Sequence, residues 1–274
     1  MTAEKVLQDN QRTRRKERTV MIVLVVLLAG VVLVSFTVGR YGVPLGQLFE
    51  ILWHRISGQG VAEANKEADL VLFVIRMPRV LLTVMVGAAL SASGAAFQGL
   101  FKNPMVSPDI LGVSSASGAG AALAILLGFA SIFVNLTAFL FGVGAVLLVM
   151  FLAKAIGRGS GNILVMVLSG VVVSSLFKAL TSLAKYVADA DNKLPEITFW
   201  LMGSFAKSGS VRNVLIMLIA LVVGAVPLLL TRRRMNIMSF GVDEAKAMGI
   251  NVPRMRTMIV ACATLLTAIS VCLC

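Results

Sequence analysis

Apolar runs without a single charged side chain alternate with short polar segments along this chain: 20–38, 80–101, 110–153, 159–177, 213–231 and 257–274. A helix rises about 1.5 Å per residue and a bilayer's hydrocarbon core is about 30 Å thick, so a run of about 20 residues crosses once. The run 110–153 is too long for one crossing and folds back on itself between Gly128 and Asn135. The pattern predicts about seven crossings in an all-α, polytopic transmembrane helical bundle. Residues 1–19 read as a mobile basic tail and 20–274 as the membrane domain.

Three intervening segments carry structure of their own. Residues 43–56 begin at Pro44 and alternate Leu45, Leu48, Phe49, Leu52 and Trp53 with polar positions, as an interfacial amphipathic helix does. Residues 194–205 read similarly, with Trp200 at headgroup level. Residues 235–256 are too polar to cross; Asp243 to Met248 form a helical turn that Gly249 stops.

Composition agrees with a bilayer protein. Hydrophobic residues make up 58% and charged residues 14%, where a soluble chain is about a quarter charged; mean hydropathy is +0.93. The net charge of +12 sits in the tail and in short inter-span segments, with no basic face interleaved with aromatics, so nucleic acid is not the partner. Run 20–38 is too long for a signal-peptide core and no small-residue cleavage site follows it, so it reads as the first membrane helix. Arg12, Arg14, Arg15, Lys16 and Arg18, then Lys102, Lys154, Arg158, and Arg232 to Arg256 fall on one side. Glu50, Glu63, Glu67, Asp69, Asp189, Asp191 and Glu196 dilute the basic residues on the other. The positive-inside rule puts the N-terminus in the cytoplasm.

Catalytic groups are not where chemistry would need them. His54 is the only histidine, and Cys262, Cys272 and Cys274 lie in the last apolar run without a Cys-x-x-Cys pair. No catalytic residue, metal site or cofactor is expected. No carboxylate stands within the mapped runs to couple an ion gradient, and no phosphate-binding loop is present: 157–161 has the glycines of one without its lysine. Uphill movement would need energy from another subunit.

Polar residues gather around one span. Arg76 and Arg79, at i and i+3 around Pro78, precede run 80–101; Asn103-Pro104-Met105 and Ser107-Pro108 follow it. The arginines are either snorkelling anchors or a cationic patch for an acidic partner. The prolines forbid a continuous helix, which leaves either a plain turn or a constriction in a path. Gly112, Ala116, Gly120 and Ala124 make a packing stripe. The segment 241–254 is either a solvated helical loop or a knob for a cytoplasmic partner.

These residues carry a resemblance. Arg76-Met-Pro-Arg79, Gly87-Ala-Ala-Leu, Ser93-Gly-Ala-Ala-Phe-Gln98, Asn103-Pro-Met-Val-Ser-Pro-Asp-Ile-Leu-Gly112, Leu168-Ser-Gly170, Trp200-Leu-Met-Gly203 and the 241–249 segment resemble the FecCD family. These are the permease subunits of ABC importers for iron–siderophore complexes, haem and vitamin B12. The resemblance implies a multi-pass protein of a prokaryotic inner or plasma membrane. It also implies a second permease subunit, as a homo- or heterodimer, a cytoplasmic ATP-binding subunit and an extracytoplasmic substrate-binding protein. Arg76 and Arg79 match arginines that meet the binding protein. Asn103, Pro104 and Met105 match a cytoplasmic gate, and Gly161 and Asn162 fall where a second gate segment lies. Asp243, Glu244, Ala245, Met248 and Gly249 match the helix that couples to the ATPase. A ferric siderophore is the expected cargo, with haem or vitamin B12 as alternatives. Full family members have about ten helices, so a chain stopping at Cys274 reads as truncated. An ion-coupled secondary transporter and a non-transporting fragment are the readings from other classes.

Overall fold

The computed structural model describes residues 3–39, 41–58, 65–156 and 163–274, with side chains from residue 13 onward except at 207 and 208. Two compact units divide the chain at Val80.

In the first unit, α1 (Ala3–Thr37) is one continuous helix. Residues 3–19 of the expected tail are helical. They contain no Gly or Pro and are rich in Glu, Lys, Gln and Arg, so a helix nucleated by the apolar span propagates through them at little cost. The amphipathic helix appears as α2 (Leu45–Ile56), and it is apolar on two faces. Leu48 and Ile51 are buried with Val43, Ala68 and Leu72, while Leu45, Phe49, Trp53 and Ile56 are exposed along a second stripe. Next come α3 (Lys66–Leu70), a π-helical turn over Val71–Arg76, and α4 (Met77–Phe101), of which 77–80 close this unit and 81–101 open the second, so the helix starts before residue 80. Asp69 fixes α3 to α2: its two carboxylate oxygens each accept from Arg55, at 3.0 Å. The same guanidinium lies 4.0 Å from the centroid of Phe73. Asn65 accepts from Gln47 at 2.9 Å and donates to Glu50 at 3.2 Å.

The second unit contains α5 (Val113–Leu126), α6 (Ser131–Ile156), α7 (Ile163–Val187), α8 (Lys193–Met202), α9 (Phe205–Ser208), α10 (Val211–Leu230), α11 (Arg232–Met238), α12 (Val242–Ala247) and α13 (Val252–Leu273). Run 110–153 folds back as expected, at Gly128 with φ of +76°. The apolar helix α5 is the short one, with 14 residues, about 21 Å at 1.5 Å per residue. The described residues thus hold six helices long and apolar enough to cross, plus this shorter one. Helix α7 also outruns its charge-free stretch and continues through Lys178 and Lys185.

Small residues make α5 the centre of this unit. Ala116, Gly118, Gly120 and Ala124 are buried, and a Cβ at Gly120 would sit 2.8 Å from the side chain of Phe141 on α6. On α13, Leu266 lies against Gly224 of α10, where a Cβ would be 2.6 Å from its Cγ. The hydroxyl of Ser93 on α4 lies 3.0 Å from the Ala263 carbonyl and 2.8 Å from the Thr267 hydroxyl. Such interhelical bonds contribute about 0.6–2 kcal/mol each in a bilayer.

Candidate functional site

The segment joining α4 to α5 is built rather than slack. Lys102 leaves α4 with φ of +52° and Gly112 enters α5 with φ of +80°. Between them the Asn103 side-chain oxygen accepts from the Met105 amide at 2.9 Å, and Gln98 donates to the Val106 carbonyl at 3.3 Å. Asp109 accepts from the Ser114 amide at 2.6 Å. A carboxylate there satisfies an orphan donor and suits the positive end of α5. Val106 and Leu111 are buried, whereas Met105 is 88% exposed. The loop is pinned from behind while its apolar tip projects.

Motifs far apart in sequence meet on this loop. The Pro108 ring lies 3.4 Å from where a Cβ would stand on Gly94 of α4. On α7, a Cβ at Gly170 would run into the carbonyl oxygen of Ile110 and sit 3.3 Å from the Cα of Leu111. Gly112 in turn packs on Ser174, whose amide nitrogen is 3.3 Å from the position of a Cβ. The glycines at 112 and 170 are therefore clearance where the loop backbone crosses α7.

The far end of α5 is also closed by a side chain. Lys193, the first residue of α8, donates to the carbonyls of Ile125 at 3.0 Å and Leu126 at 2.8 Å. An ammonium at a helix C-terminus answers both the unpaired carbonyls and the negative end of the dipole. Lys193→Met keeps the apolar stem and removes the donors. It is expected to destabilise the solubilised protein by about 1–2 kcal/mol, read as a lowered Tm that Lys193→Arg largely restores.

Of the predicted outer pair, Arg76 closes the π-helical turn and Arg79 lies in the first turn of α4, both half-buried. The Arg76 guanidinium donates to the carbonyls of Phe36 and Tyr41. The predicted coupling segment folds as α12. Asp243, Glu244 and Met248 are exposed and Ala245 is fully buried as its foot. Gly249 ends it with φ of +77°, its amide 2.9 Å from the Lys246 carbonyl, while the Ile250 amide is 2.9 Å from the Ala245 carbonyl. An open groove of about 620 Å³ runs beside it, lined by Arg234, Ile237, Met248, Arg254 and Met258. Gly161 and Asn162 lie outside the described residues.

The sequence model of the FecCD transport family matches residues 23–274. The chain belongs to the FecCD family. This FecCD protein is a transport subunit, not an enzyme: the permease of an ABC importer in a prokaryotic inner membrane. It is 36% identical to the "Molybdate import system permease protein MolB" of Haemophilus influenzae over 237 residues, covering 86% of this chain and 68% of that one. It is 35% identical to the "Probable iron chelatin transport system permease protein" of Helicobacter pylori, covering 76% of this chain and 62% of that one. A solved structure titled "An inward-facing conformation of a putative metal-chelate type ABC transporter" aligns with a TM-score of 0.75 at 32% identity, over 93% of this chain and 75% of that one.

Sequence reading of this FecCD permease found the loop at 103–105 and missed what holds it. Gly170 stands in the Leu168-Ser-Gly motif and Asp109 in the Ser107-Pro-Asp motif, but neither spacing says that one meets the loop backbone and the other caps α5. Lys193 gave no signal at all, since its partners are main-chain carbonyls.

Proposed function

We propose that this permease carries a ferric siderophore across the membrane as one half of a dimer, by alternating access, with its N-terminus in the cytoplasm. The observation that supports this reading best is the loop from Lys102 to Gly112. Irregular backbone at the end of a membrane helix is stable only where protein buries it or where it lines an aqueous path, and here it is buried on one side and presents Met105 on the other. Asn103, Pro104 and Met105 would act as the cytoplasmic gate, meeting the same residues of a second copy. The outer end of α4 around Arg76 and Arg79 would receive acidic residues of a substrate-binding protein. Asp243 to Gly249 would seat in a cytoplasmic ATP-binding subunit, whose hydrolysis selects between inward- and outward-open states.

A second cargo, molybdate, is favoured by the 36% identity to MolB. The two separate in one experiment. The permease is reconstituted in proteoliposomes with its ATP-binding subunit and binding protein, and each labelled cargo is offered with internal ATP. Accumulation of the iron chelate with none of molybdate supports the first reading; the reverse pattern overturns it in favour of the second.

A further inference from the structure

The three carbons and guanidinium of Arg76 occupy a place made for them. Phe36 lies in the last turn of α1, so its carbonyl is one of those a helix cannot pair internally. Tyr41 lies beyond the helix end, where the chain turns toward α2. One Arg76 nitrogen donates to each, and a cation at this end of α1 also suits the helix dipole. The second observation is independent of those bonds. Gly39 lies directly against the guanidinium: a Cβ there would collide with a terminal nitrogen and stand 3.1 Å from the guanidinium carbon. A side chain at residue 39 would push the guanidinium away from its present place, and so off its two carbonyls. Close by, the Val43 amide returns to the Thr37 carbonyl at 3.4 Å, and Val43 itself is buried with Leu48, Ile51, Ala68 and Leu72.

We infer that Arg76 is a positioning residue: it clasps the end of α1 and Tyr41 to the π-helical turn that precedes α4, and so fixes the surface that a binding protein would land on. The assignment rests on the proposed docking role of that surface, and it moves Arg76 beneath the contact. Two separate nitrogens of a planar fork each reach one carbonyl here; a lysine keeps the charge but would have to serve two carbonyls five residues apart from a single nitrogen, where Lys193 serves two adjacent ones. Charge and clasp therefore make opposite forecasts.

The test uses the full chain in nanodiscs and three variants, Arg76→Lys, Gly39→Ala and the double variant. Hydrogen exchange of segment 37–45 should rise about tenfold in each. The double variant should exchange no faster than either single one, because both remove the same contact. Binding-protein affinity should fall in Arg76→Lys although the charge is kept, and in Gly39→Ala although no charge is touched. Wild-type exchange in both single variants would overturn the inference, as would additive effects in the double variant. If the segment opens as expected while binding-protein affinity stays unchanged in every variant and in Arg79→Ala, the clasp stands and the docking reading falls.

Discussion

Gly170→Ala is expected to abolish most transport while leaving the protein in the membrane. The added methyl group meets the Ile110 carbonyl oxygen and the Leu111 Cα, which are backbone and cannot swing aside as a side chain would. Loop and helix must separate, and overpacking of this kind costs about 1–3 kcal/mol. Because the loop is also tied to Gln98 and to the α5 terminus through Asp109, displacement at Ile110 reaches Met105 at its tip. At about 1.4 kcal/mol per factor of ten, uptake should drop by roughly fivefold to a hundredfold. Gly144→Ala provides the control, since a Cβ there meets nothing within 4 Å. Initial uptake rates in proteoliposomes, normalised to the amount of inserted permease, check both. Equal rates for the two variants would mean that the loop does not gate.

Gly249→Val carries the second large effect. Gly249 has open space around it but a φ of +77°, so the objection is conformational rather than steric crowding by neighbours. An ordinary residue pays about 1–2 kcal/mol in this region, and a β-branched one is a genuine outlier there. The turn that returns the Ile250 amide to the Ala245 carbonyl would be lost, and with it the orientation of Asp243, Glu244 and Met248. ATP hydrolysis stimulated by loaded binding protein should fall about tenfold or more, with Gly249→Asn retaining much of it because asparagine tolerates this conformation. Stimulated ATPase activity of the reconstituted complex is the measurement.

The spans were legible because a bilayer imposes a one-dimensional rule: apolar residues without charge for about 20 positions. The fold-back at Gly128, the amphipathic α2 and the turn ended by Gly249 were legible for local reasons, each resting on a periodicity or a glycine. Helix lengths were less legible, because tertiary contacts or helix propagation decided them. Nothing in Ala3 to Thr19 interrupts a helix already begun at Val20, so the tail continues it. Helix α5 is short because Gly128 turns the chain and Lys193, distant in sequence, closes its end. The candidate site divides the same way. Polar residues between the spans, such as Asn103 and Glu244, were visible as exceptions to an apolar pattern. Those that hold the 102–112 loop, Asp109, Gly170 and Ser174, act through backbone clearance and capping across helices, which a linear pattern does not encode.

Membership of the FecCD family implies a separate ATP-binding subunit, and the source of the energy for transport is the most direct measurement. Proteoliposomes holding the permease, its ATP-binding subunit and loaded binding protein are given either internal ATP with no ion gradient or an imposed proton gradient with no nucleotide. The account predicts accumulation of the chelate above its outside concentration in the first case and none in the second. Accumulation driven by the proton gradient without nucleotide would contradict it.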